Sequence, residues 1–461
     1  MNDLPYLPAA EMSALFAARK LSPSEVCDAV INHIEKWEPR LKALYAYDPD
    51  AARAAAKAAT ARWAKGAALS PLDGVPVTLK DNIATKGVPK PFGTAAEDMT
   101  PQPADAPPAA RLREAGAVIL AKTTMPDYGM LSSGLSSFHA LARNPWNLAL
   151  NPGGSSAGAA AAGAAGYGPI HLGTDIGGSI RLPAGWCGLV GLKPHLGRVP
   201  IDPPYVGRVA GPLTRTVDDC ALAMAVIARP DWRDGMSLPP ADLDWSIKPA
   251  TVRGLKIGLM LEIGAGMDVA TEVRAAVEAA ARRFEEAGAT IVPVKPILTR
   301  AMLDGLDQFW RARAWADIEP LPAERRAKVL PYIYQWAESG TNVSGTEALR
   351  GFGQTMAMRA AAVQLFTQVD AVLSPTAPVA AFPAEFASPI NDPMRPFEHI
   401  GFTLVWNMSE QPAVSINCGF TSDGLPIGLQ IVGRRFDDVG TLALAKAYEG
   451  WRGPITNWPK P

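Results

Sequence analysis

The chain has 461 residues, with 44 lysines and arginines against 45 aspartates and glutamates, and a formal net charge of −1 at pH 7. Since no block of like charges stands out, these figures argue against a protein that binds nucleic acid or an anionic membrane surface. Hydrophobic residues make up 48% of the chain and charged residues 19%, as in an ordinary globular enzyme. No segment reaches the roughly 20 apolar residues that span a bilayer, and residues 1–20 do not resemble a signal peptide.

The four cysteines and five histidines are dispersed, and no Cys-x-x-Cys pair occurs. A zinc site therefore has little to build on, and we expect no metal and reduced, mostly buried thiols in a cytoplasmic protein. No internal repeat and no proline-rich linker divides the chain. We therefore predict one domain over residues 1–461.

Helix signals dominate the beginning of the chain. Residues 22–25 (Ser-Pro-Ser-Glu) place a cap, a proline at the first helical position and a glutamate at the third, so a helix should begin there. The alanine-rich residues 51–64 predict another helix. Residues 72–83 become apolar and β-branched, which predicts a turn and then a buried strand that ends at Lys80.

Further along the chain, helix and strand patterns alternate, which predicts an α/β fold with a mixed or parallel sheet. Predicted helices cover 109–116, 157–165, 273–287, most of 298–365, and 441–448. Predicted strands cover 117–122, 255–259, 290–294, 371–373, 413–418 and 427–432. Glycine-rich loops are predicted at 151–156, 173–181 and 185–191, and loops this dense indicate a functional site.

Lys80 is the first residue that could carry chemistry. It ends an apolar strand, where burial would lower its pKa and leave it neutral enough to act as a base. Taken alone, the position is more typical of a lysine that extends to solvent or pairs with Asp81. Its role therefore depends on what lies near it.

The loop 153–158 (Gly-Gly-Ser-Ser-Ala-Gly) is the second candidate. Its glycines allow backbone amides to approach a substrate, and its paired serines supply hydroxyls that can carry a proton. The segment also fits a plain helix start with Ser155 or Ser156 as the N-cap, and Gly-x-Ser-x-Gly around Ser156 fits a nucleophile elbow. An elbow needs a preceding strand and a partner histidine, and the Asn-Pro pair at 151–152 argues against the strand.

The segment 173–179 (Gly-Thr-Asp-Ile-Gly-Gly-Ser) is the third candidate. Successive amides in its Gly-Gly-Ser turn can point the same way and form an oxyanion hole beside the hydroxyl of Ser179. A tight turn with a solvated serine explains the segment equally well.

In combination, these motifs strongly resemble the amidase signature family. The family's signature block is matched by residues 152–158 and then continuously over 173–198, and the spacing of Ser155 and Ser179 matches that of the family's two catalytic serines. Its lysine motif is matched by residues 72–76 and 80–82. Other family-like segments are 144–147, 211–213, 215–217, 375–378 and 424–430.

The resemblance covers nearly the whole chain apart from about residues 225–370, where we expect substrate specificity to vary. It implies one α/β domain with a central mixed, mostly parallel sheet covered by helices on both faces. The signature core would occupy about residues 72–220.

Roles for individual residues follow from the resemblance. Ser179 would attack the carbonyl carbon, Ser155, after a cis peptide bond, would relay its proton, and neutral Lys80 would accept it. The amides that would form the oxyanion hole are those of Ile176, Gly177, Gly178 and Ser179. The side chains that would hold the loops and the lysine are those of Ser156, Thr174, Asp175 and Arg181. No metal and no organic cofactor is required.

Three positions depart from the family pattern. Ala157 stands where a glycine is usual, His195 replaces a threonine, and Asp127 replaces a glutamate. We expect the first two to reshape the site wall and Asp127 to be a structural change.

The implied activity is hydrolysis of an amide-type C–N bond through an acyl-enzyme. The aromatic-rich stretch 298–365 would suit small aryl or apolar amides, esters or carbamates, although such residues more often pack in the core. Residues expected to touch the substrate are Gly129, Met130, Arg208 and Trp406. The expected partners are a small-molecule substrate and water, without nucleic acid; a homodimer stays open.

Other classes of protein are weighed against this one. A glutaminase-type subunit of a tRNA-dependent amidotransferase would share the same triad and stays open as the alternative. An esterase of the α/β-hydrolase type that uses Ser156 is a further alternative. The intact set Lys80, Ser155 and Ser179 argues against an inactive scaffold, and the absence of an N-terminal apolar span argues against a membrane-anchored fatty-amide enzyme.

Overall fold

A computed structural model describes residues 4–460. Within these residues, eleven strands form one sheet. The strands are β1 (Leu44–Tyr45), β2 (Pro76–Lys80), β3 (Val118–Thr123), β4 (Ile170–Asp175), β5 (Val190–Lys193), β6 (Val209–Thr214), β7 (Lys256–Leu259), β8 (Thr290–Pro293), β9 (Ala371–Pro375), β10 (Ala413–Phe420) and β11 (Pro426–Val432). The α-helices are α1 (Ala9–Ala17), α2 (Pro23–Leu41), α3 (Pro49–Ala64), α4 (Pro107–Glu114), α5 (Ala157–Ala164), α6 (Arg181–Cys187), α7 (Val217–Ile227), α8 (Thr271–Glu286), α9 (Arg300–Ile318), α10 (Ala323–Arg326), α11 (Pro331–Glu338), α12 (Gly345–Leu365), α13 (Gly401–Met408) and α14 (Asp438–Arg452).

Helix α2 begins at the capping box that the sequence predicts. Glu25 N donates to Ser22 Oγ at 3.2 Å, and Ser22 N donates to the Glu25 carboxylate at 2.8 Å. The buried face of α2 packs against α3 and β2, so the cap fixes the first helix layer over the sheet. The helix predicted over 51–64 is confirmed as α3.

The strands of the sheet lie in the order β1-β3-β2-β4-β6-β5-β10-β11-β9-β7-β8. Parallel pairing joins β3, β2 and β4 in one wing and β9, β7 and β8 in the other. The remaining neighbours pair antiparallel, which places the antiparallel strands in the centre and at the β1 edge. Helices α2, α5, α7, α8 and α14 pack on the sheet. The predicted α/β class with a mixed sheet is confirmed, and its parallel part is confined to the two wings.

The parallel neighbours β2 and β4 bring the candidate residues together. Because the carboxyl ends of parallel neighbours meet at one edge of a sheet, Lys80 at the end of β2 lies beside the end of β4. The turn after β4 holds Ser179, and α5, which follows Ser155 and Ser156, packs on β2 and β4. Three separate stretches of sequence therefore converge at one sheet edge.

Two of the predicted loops are wrong in extent. Residues 173–175 end strand β4, and residues 185–191 contain the end of α6 and the beginning of β5. Close packing accounts for Gly185 and Gly191, whereas Gly188 ends α6 in the left-handed conformation, at φ 78°. A Cβ on Gly191 would lie 2.5 Å from the Ala184 Cβ, and a Cβ on Gly185 would lie 3.3 Å from the Thr376 side chain.

The cysteine side chains are mostly buried, as the sequence analysis predicts. Cys27, Cys187 and Cys220 are buried, Cys418 is partly buried, and all four are free. No helix within residues 4–460 combines the length and the apolar character needed to cross a bilayer.

The packing of α5 gives the first testable prediction. A Cβ at Gly158 would lie 2.1 Å from the Ala43 carbonyl oxygen and 2.5 Å from Thr124 N. We expect Gly158→Ala to lower the free energy of unfolding by about 1–3 kcal/mol, because backbone atoms would have to move to admit the methyl group. Denaturant unfolding of the purified variant measures the change.

Gly353 in α12 supplies the matched control. A Cβ at this helical position meets no heavy atom within 4 Å. Gly353→Ala should therefore raise the free energy of unfolding by about 0.5–1 kcal/mol, since alanine is the better helix former. A Gly158→Ala protein as stable as the Gly353→Ala protein would contradict the close packing of α5.

Candidate active site

The amine of Lys80 lies among hydroxyl groups. The side chain is fully buried, and Nζ is 2.7 Å from Ser155 Oγ, 3.1 Å from Ser156 Oγ and 3.1 Å from Thr174 Oγ1. The side-chain amide of Asn82 donates to the same Thr174 oxygen at 3.0 Å. The structure therefore places the predicted lysine in direct contact with both predicted serines of the 153–158 loop.

Burial changes the protonation of Lys80. Desolvation lowers the pKa of Lys80 from 10.5 to about 7, and the negative charges of Asp175 and Asp81 limit the fall. A neutral amine can accept a proton, whereas the ammonium form can only donate one. At neutral pH a substantial fraction of Lys80 is therefore available as a base.

A lowered pKa by itself does not identify the base. Burial also lowers the pKa of Lys122 and of Lys193 to about 7. Lys122 donates to the Ile83 carbonyl and to Thr85 Oγ1, and Lys193 donates to its neighbouring backbone carbonyl at 3.0 Å. The bonding partners of Lys122 and Lys193 do not line the cavity described below, whereas Lys80 contacts Ser155 and Thr174, which do, so geometry singles out Lys80.

The two serines next to Lys80 differ in their surroundings. Ser155 follows a cis peptide bond and lines a cavity, whereas Ser156 is fully buried. Ser156 Oγ donates to the Thr174 carbonyl at 3.2 Å and lies 3.3 Å from Thr174 N. Residues 151–155 form no strand, so the strand required by a nucleophile elbow at Ser156 is not found there.

The segment 173–179 presents Ser179 to the same cavity. Ile176 and Ser179 are its partly exposed residues, and the carbonyl of Ser179 accepts a hydrogen bond from Ser156 N at 3.1 Å, which ties the two serine loops together. Within residues 4–460 no hydrogen bond joins the hydroxyls of Ser155 and Ser179. In unliganded enzymes such catalytic hydrogen bonds are often long and tighten when substrate binds.

The four predicted oxyanion-hole amides are not equivalent. Gly178 N donates to Asp175 Oδ1 at 2.8 Å and is occupied within the protein. The amides of Ile176, Gly177 and Ser179 have no hydrogen-bond acceptor among residues 4–460. These three amides are the ones free to stabilise a developing oxyanion, and the role of Gly178 is corrected to that of a bend in the loop, at φ 128°.

A buried ion pair holds this loop in shape. Arg181 Nη2 lies 3.0 Å from Asp175 Oδ1, and both side chains are fully buried. Asp175 also accepts hydrogen bonds from the amides of Gly178 and Ile180 at 2.8 and 3.1 Å. Burial alone would raise the pKa of Asp175, but the neighbouring Arg181 holds that pKa well below its usual range. The carboxylate is thus ionised at all working pH values.

Helix α13 supplies supporting residues that the sequence analysis missed. Asn407 donates from Nδ2 to Asp175 Oδ1 at 2.9 Å, and its Oδ1 accepts from Arg181 at 2.5 Å. Thr403 Oγ1 donates to the Gly177 carbonyl at 2.6 Å. The signal available in the sequence was weak: a threonine and an asparagine spaced by one helical turn in an otherwise apolar segment.

Ser179 stands between two chambers. The larger has a volume of about 370 Å³ and is lined by Ser155, Thr174 and Asn82 together with residues of its outer wall. The smaller has a volume of about 40 Å³ and a mainly apolar wall. Residues common to both chambers are Gly129, Met130, Ile176, Ser179 and Arg313.

Three of the four predicted pocket residues lie where expected. Gly129 and Met130 line both chambers, and Arg208 lines the larger one. The prediction for Trp406 is wrong, because its side chain is fully buried in α13 and packs edge-on against Phe366, outside both walls. An apolar helix next to the site buries its tryptophan in the core.

Only some of the aromatic residues of 298–365 line a chamber, and none of the three residues that depart from the family pattern does. Trp310 lines the smaller chamber, whereas Trp336 is buried and donates to Asp307 at 2.9 Å. Ala157 and His195 line neither chamber, so the expectation that they reshape the wall is wrong. Asp127 is buried and accepts from Leu330 N at 2.9 Å, which is the structural role expected of it.

Several residues that line the chambers belong to no sequence motif, and the sequence analysis did not predict them. They are Phe92, Glu97, Tyr128, Tyr205 and Arg313 in the larger chamber and Phe397 and Ile400 in the smaller.

Within residues 4–460, no group of three or more histidine, cysteine or carboxylate side chains is placed to hold a metal ion.

Known proteins similar to this chain are amidases and A subunits of amidotransferases. The model for the Amidase family matches residues 25–442. The A subunit of glutamyl-tRNA(Gln) amidotransferase from Myxococcus xanthus (strain DK1622) is 38% identical, with 97% of each chain covered, and that from Chloroflexus aggregans is 36% identical, with 99% of this chain and 98% of the relative covered. Among solved structures, a bacterial aryl acylamidase of the amidase signature family has a TM-score of 0.90 at 30% identity, with 98% of this chain and 97% of that chain covered.

The family match extends from α2 into α14, and the fold shared with the aryl acylamidase covers 98% of this chain. The chain therefore belongs to the amidase family, that is, to the amidase signature enzymes.

Proposed function

We propose that this chain hydrolyses small amides with Ser179 as nucleophile, Ser155 as proton relay and Lys80 as base. The observation that carries this proposal is the 2.7 Å contact between Lys80 Nζ and Ser155 Oγ at the wall of a cavity that Ser179 also lines. Membership of the amidase family supports a C–N bond as the target.

The reaction begins with attack of Ser179 Oγ on the carbonyl carbon. The hydroxyl proton passes to Ser155, whose own proton passes to neutral Lys80. The carbonyl oxygen becomes an oxyanion within reach of the free amides of Ile176, Gly177 and Ser179. Loss of one such donor typically raises the barrier by about 2.7–4 kcal/mol.

Collapse of the tetrahedral intermediate breaks the C–N bond. The proton returns from Lys80 through Ser155 to the leaving nitrogen, and an acyl ester on Ser179 remains. Water then attacks the ester by the same proton route, which releases the carboxylic acid and restores the free serine.

The positions of the two chambers orient the substrate. Ser155, which must protonate the leaving nitrogen, lines the larger chamber alone, whereas Gly177 of the oxyanion loop lines the smaller chamber alone. The amine part of the substrate therefore occupies the larger chamber, and the acyl part extends into the smaller one. The smaller wall, which includes Leu131, Trp310 and Ile400, suits a compact apolar acyl group.

The substrate class follows from this orientation. A small acyl group joined to an aryl or other bulky amine as an amide, or to a comparable alcohol or phenol as an ester, fills both chambers, and so does a carbamate of such an amine with a small alcohol. The similarity to an aryl acylamidase structure supports this choice.

A glutaminase component of an amidotransferase is the second candidate. The relatives that are 36–38% identical over nearly their whole length belong to glutamyl-tRNA(Gln) amidotransferases. Arg313 and Asp317, which both line the larger chamber, offer opposite charges of the kind that would bind the charged end of an amino acid. In that case the larger chamber would hold the acyl part of glutamine, and the leaving ammonia would still depart beside Ser155, which lines the same chamber.

Labelling with a fluorophosphonate probe tests the nucleophile. We expect mass spectrometry to locate the probe on Ser179, because its hydroxyl faces the cavity beside the relay. Lys80→Ala should prevent labelling and lower amide hydrolysis by about 10²–10⁴-fold, since the base is lost. Lys122→Ala, which removes another buried lysine, is the control: the folded variant should retain both probe labelling and amide hydrolysis. A probe found on Ser156 would instead support the nucleophile elbow.

The pH dependence of the reaction tests the base. Because Lys80 must be neutral to accept a proton and its pKa is about 7, kcat/KM for an uncharged anilide should fall about tenfold per pH unit below 7 and level off above it. Rates measured between about pH 5 and 9 give the profile. A flat profile below pH 7 in a folded protein would contradict the assignment of Lys80.

Comparison of substrates separates the two candidate functions. The purified chain should hydrolyse acetanilide-type amides without any partner and should be inactive towards glutamine, because the mainly apolar chamber of about 40 Å³ proposed for the acyl part does not suit the long, charged acyl part of glutamine. Steady-state kinetics with both substrates measure the preference. A higher kcat/KM for glutamine, or activity that appears only with other subunits, would favour the amidotransferase function.

A further inference from the structure

Four charged side chains line the larger chamber: Glu97, Arg208, Arg313 and Asp317. Three of them have a counter-charge. Arg313 lies 3.9 Å from Asp317 and also stacks over the ring of Tyr205, with 4.1 Å from its guanidinium carbon to the ring centre. Glu97 lies 3.8 Å from Arg325.

Arg208 is the exception. Its guanidinium donates to the backbone carbonyl of Pro203, and within residues 4–460 no carboxylate lies within 4.0 Å of it. The side chain is partly buried, and burial together with the positive charge of Arg313 lowers its pKa. A guanidinium group has five N–H donors, so most of the donors of Arg208 are unused in a partly desolvated cavity. A partly desolvated cation that lacks a counter-ion favours an anionic ligand.

The backbone that carries Arg208 is firmly placed. The carbonyl of Gly207 accepts a hydrogen bond from Asn407 Nδ2 at 3.0 Å, and the same Asn407 binds Asp175 beneath the nucleophile loop. Arg208 N donates to the Tyr205 carbonyl at 3.0 Å, which closes the turn before it. Arg208 and Ser179 are therefore positioned by one hydrogen-bond network.

We propose that Arg208 is a specificity-determining residue that binds a carboxylate on the amine part of the substrate. This inference rests on the proposed function, because Arg208 lines the chamber shared with Ser155 and not the smaller chamber. The favoured substrates are thus N-acyl derivatives of amino acids or aminobenzoic acids, with a small apolar acyl group. The guanidinium holds the carboxylate by charge-assisted hydrogen bonds while the amide carbonyl lies at Ser179.

A matched pair of substrates tests the carboxylate. 4-Acetamidobenzoate and 4-acetamidobenzamide share the acetyl group and nearly the same shape and differ in one charge. We expect the wild-type protein to have the higher kcat/KM for the benzoate. Arg208→Gln should lower kcat/KM for the benzoate by about 10–100-fold and that for the benzamide by less than about threefold. Arg208→Lys, which keeps the charge, should lie between.

The conditions and the control separate charge recognition from other effects. Rates are compared at about pH 8.5, where Lys80 is already neutral, so that the field of Arg208 on the base does not enter. Arg53 in α3 is an arginine outside both chambers, paired with Asp28 at 2.9 Å. Arg53→Gln should leave both rates unchanged.

The outcomes distinguish this inference from the proposed function. Hydrolysis of both substrates with equal losses in Arg208→Gln, or with no preference for the benzoate in the wild type, would overturn the carboxylate site and leave the amidase mechanism standing. Hydrolysis of neither substrate by the wild type would overturn both. A preference for the benzoate that Arg208→Gln removes and Arg208→Lys partly restores would establish the site.

Discussion

The buried ion pair between Asp175 and Arg181 is the interaction on which the site depends. Removal of one partner of such a pair typically costs about 3–5 kcal/mol, because the other charge is left without compensation in a desolvated place. Here the pair is satisfied on every side: Asp175 accepts from the amides of the nucleophile loop, and Arg181 donates to Gln430, to Thr403 and to Asn407. The consequence is geometric: the Asp175 carboxylate accepts the Gly178 N–H, while the amides of Gly177 and Ser179 on either side have no acceptor within residues 4–460. The ion pair thus fixes the conformation of the loop that carries the proposed oxyanion-hole amides.

Parallel pairing of β2 and β4 supplies the second constraint. It buries Lys80 at the sheet edge beside Thr174, and the same burial that removes water from the amine also lowers its pKa towards neutrality. Ser155 reaches Nζ because α5 packs closely on these strands, with Gly158 against the backbone of Ala43 and Thr124. The contact between Lys80 and Ser155 therefore depends on two packing arrangements, the parallel pairing of β2 with β4 and the close packing of helix α5 on these strands.

The sequence predicted elements wherever the local chemistry was strong. The capping box at Ser22, the apolar strand that ends at Lys80 and the paired serines were all informative, because each depends on neighbours in sequence. It failed where packing decides: the glycines at 185–191 are typical of a loop, but a Cβ on Gly185 would lie 3.3 Å from Thr376 and 3.4 Å from Ser415, which are distant in sequence. Asn407 and Arg313 had no motif, because their roles arise only when α13 and α9 are brought against the signature loops. Trp406 was misplaced for the same reason, since composition does not show which face of an apolar helix meets the cavity.

The residues proposed for substrate choice are of a different kind from those proposed for catalysis. The loops that carry Ser155 and Ser179 are tied together by a backbone hydrogen bond, whereas Arg208, Arg313 and Trp310 line the chambers with side chains that project from a loop and a helix. The network through Asn407 nevertheless joins the two sets, because it binds the carbonyl before Arg208 and the carboxylate beneath Ser179. An anion held at Arg208 would therefore be held at a set distance from the nucleophile. Binding energy from that contact would then go into orientation of the amide in the transition state, and its loss would lower kcat as well as raise KM.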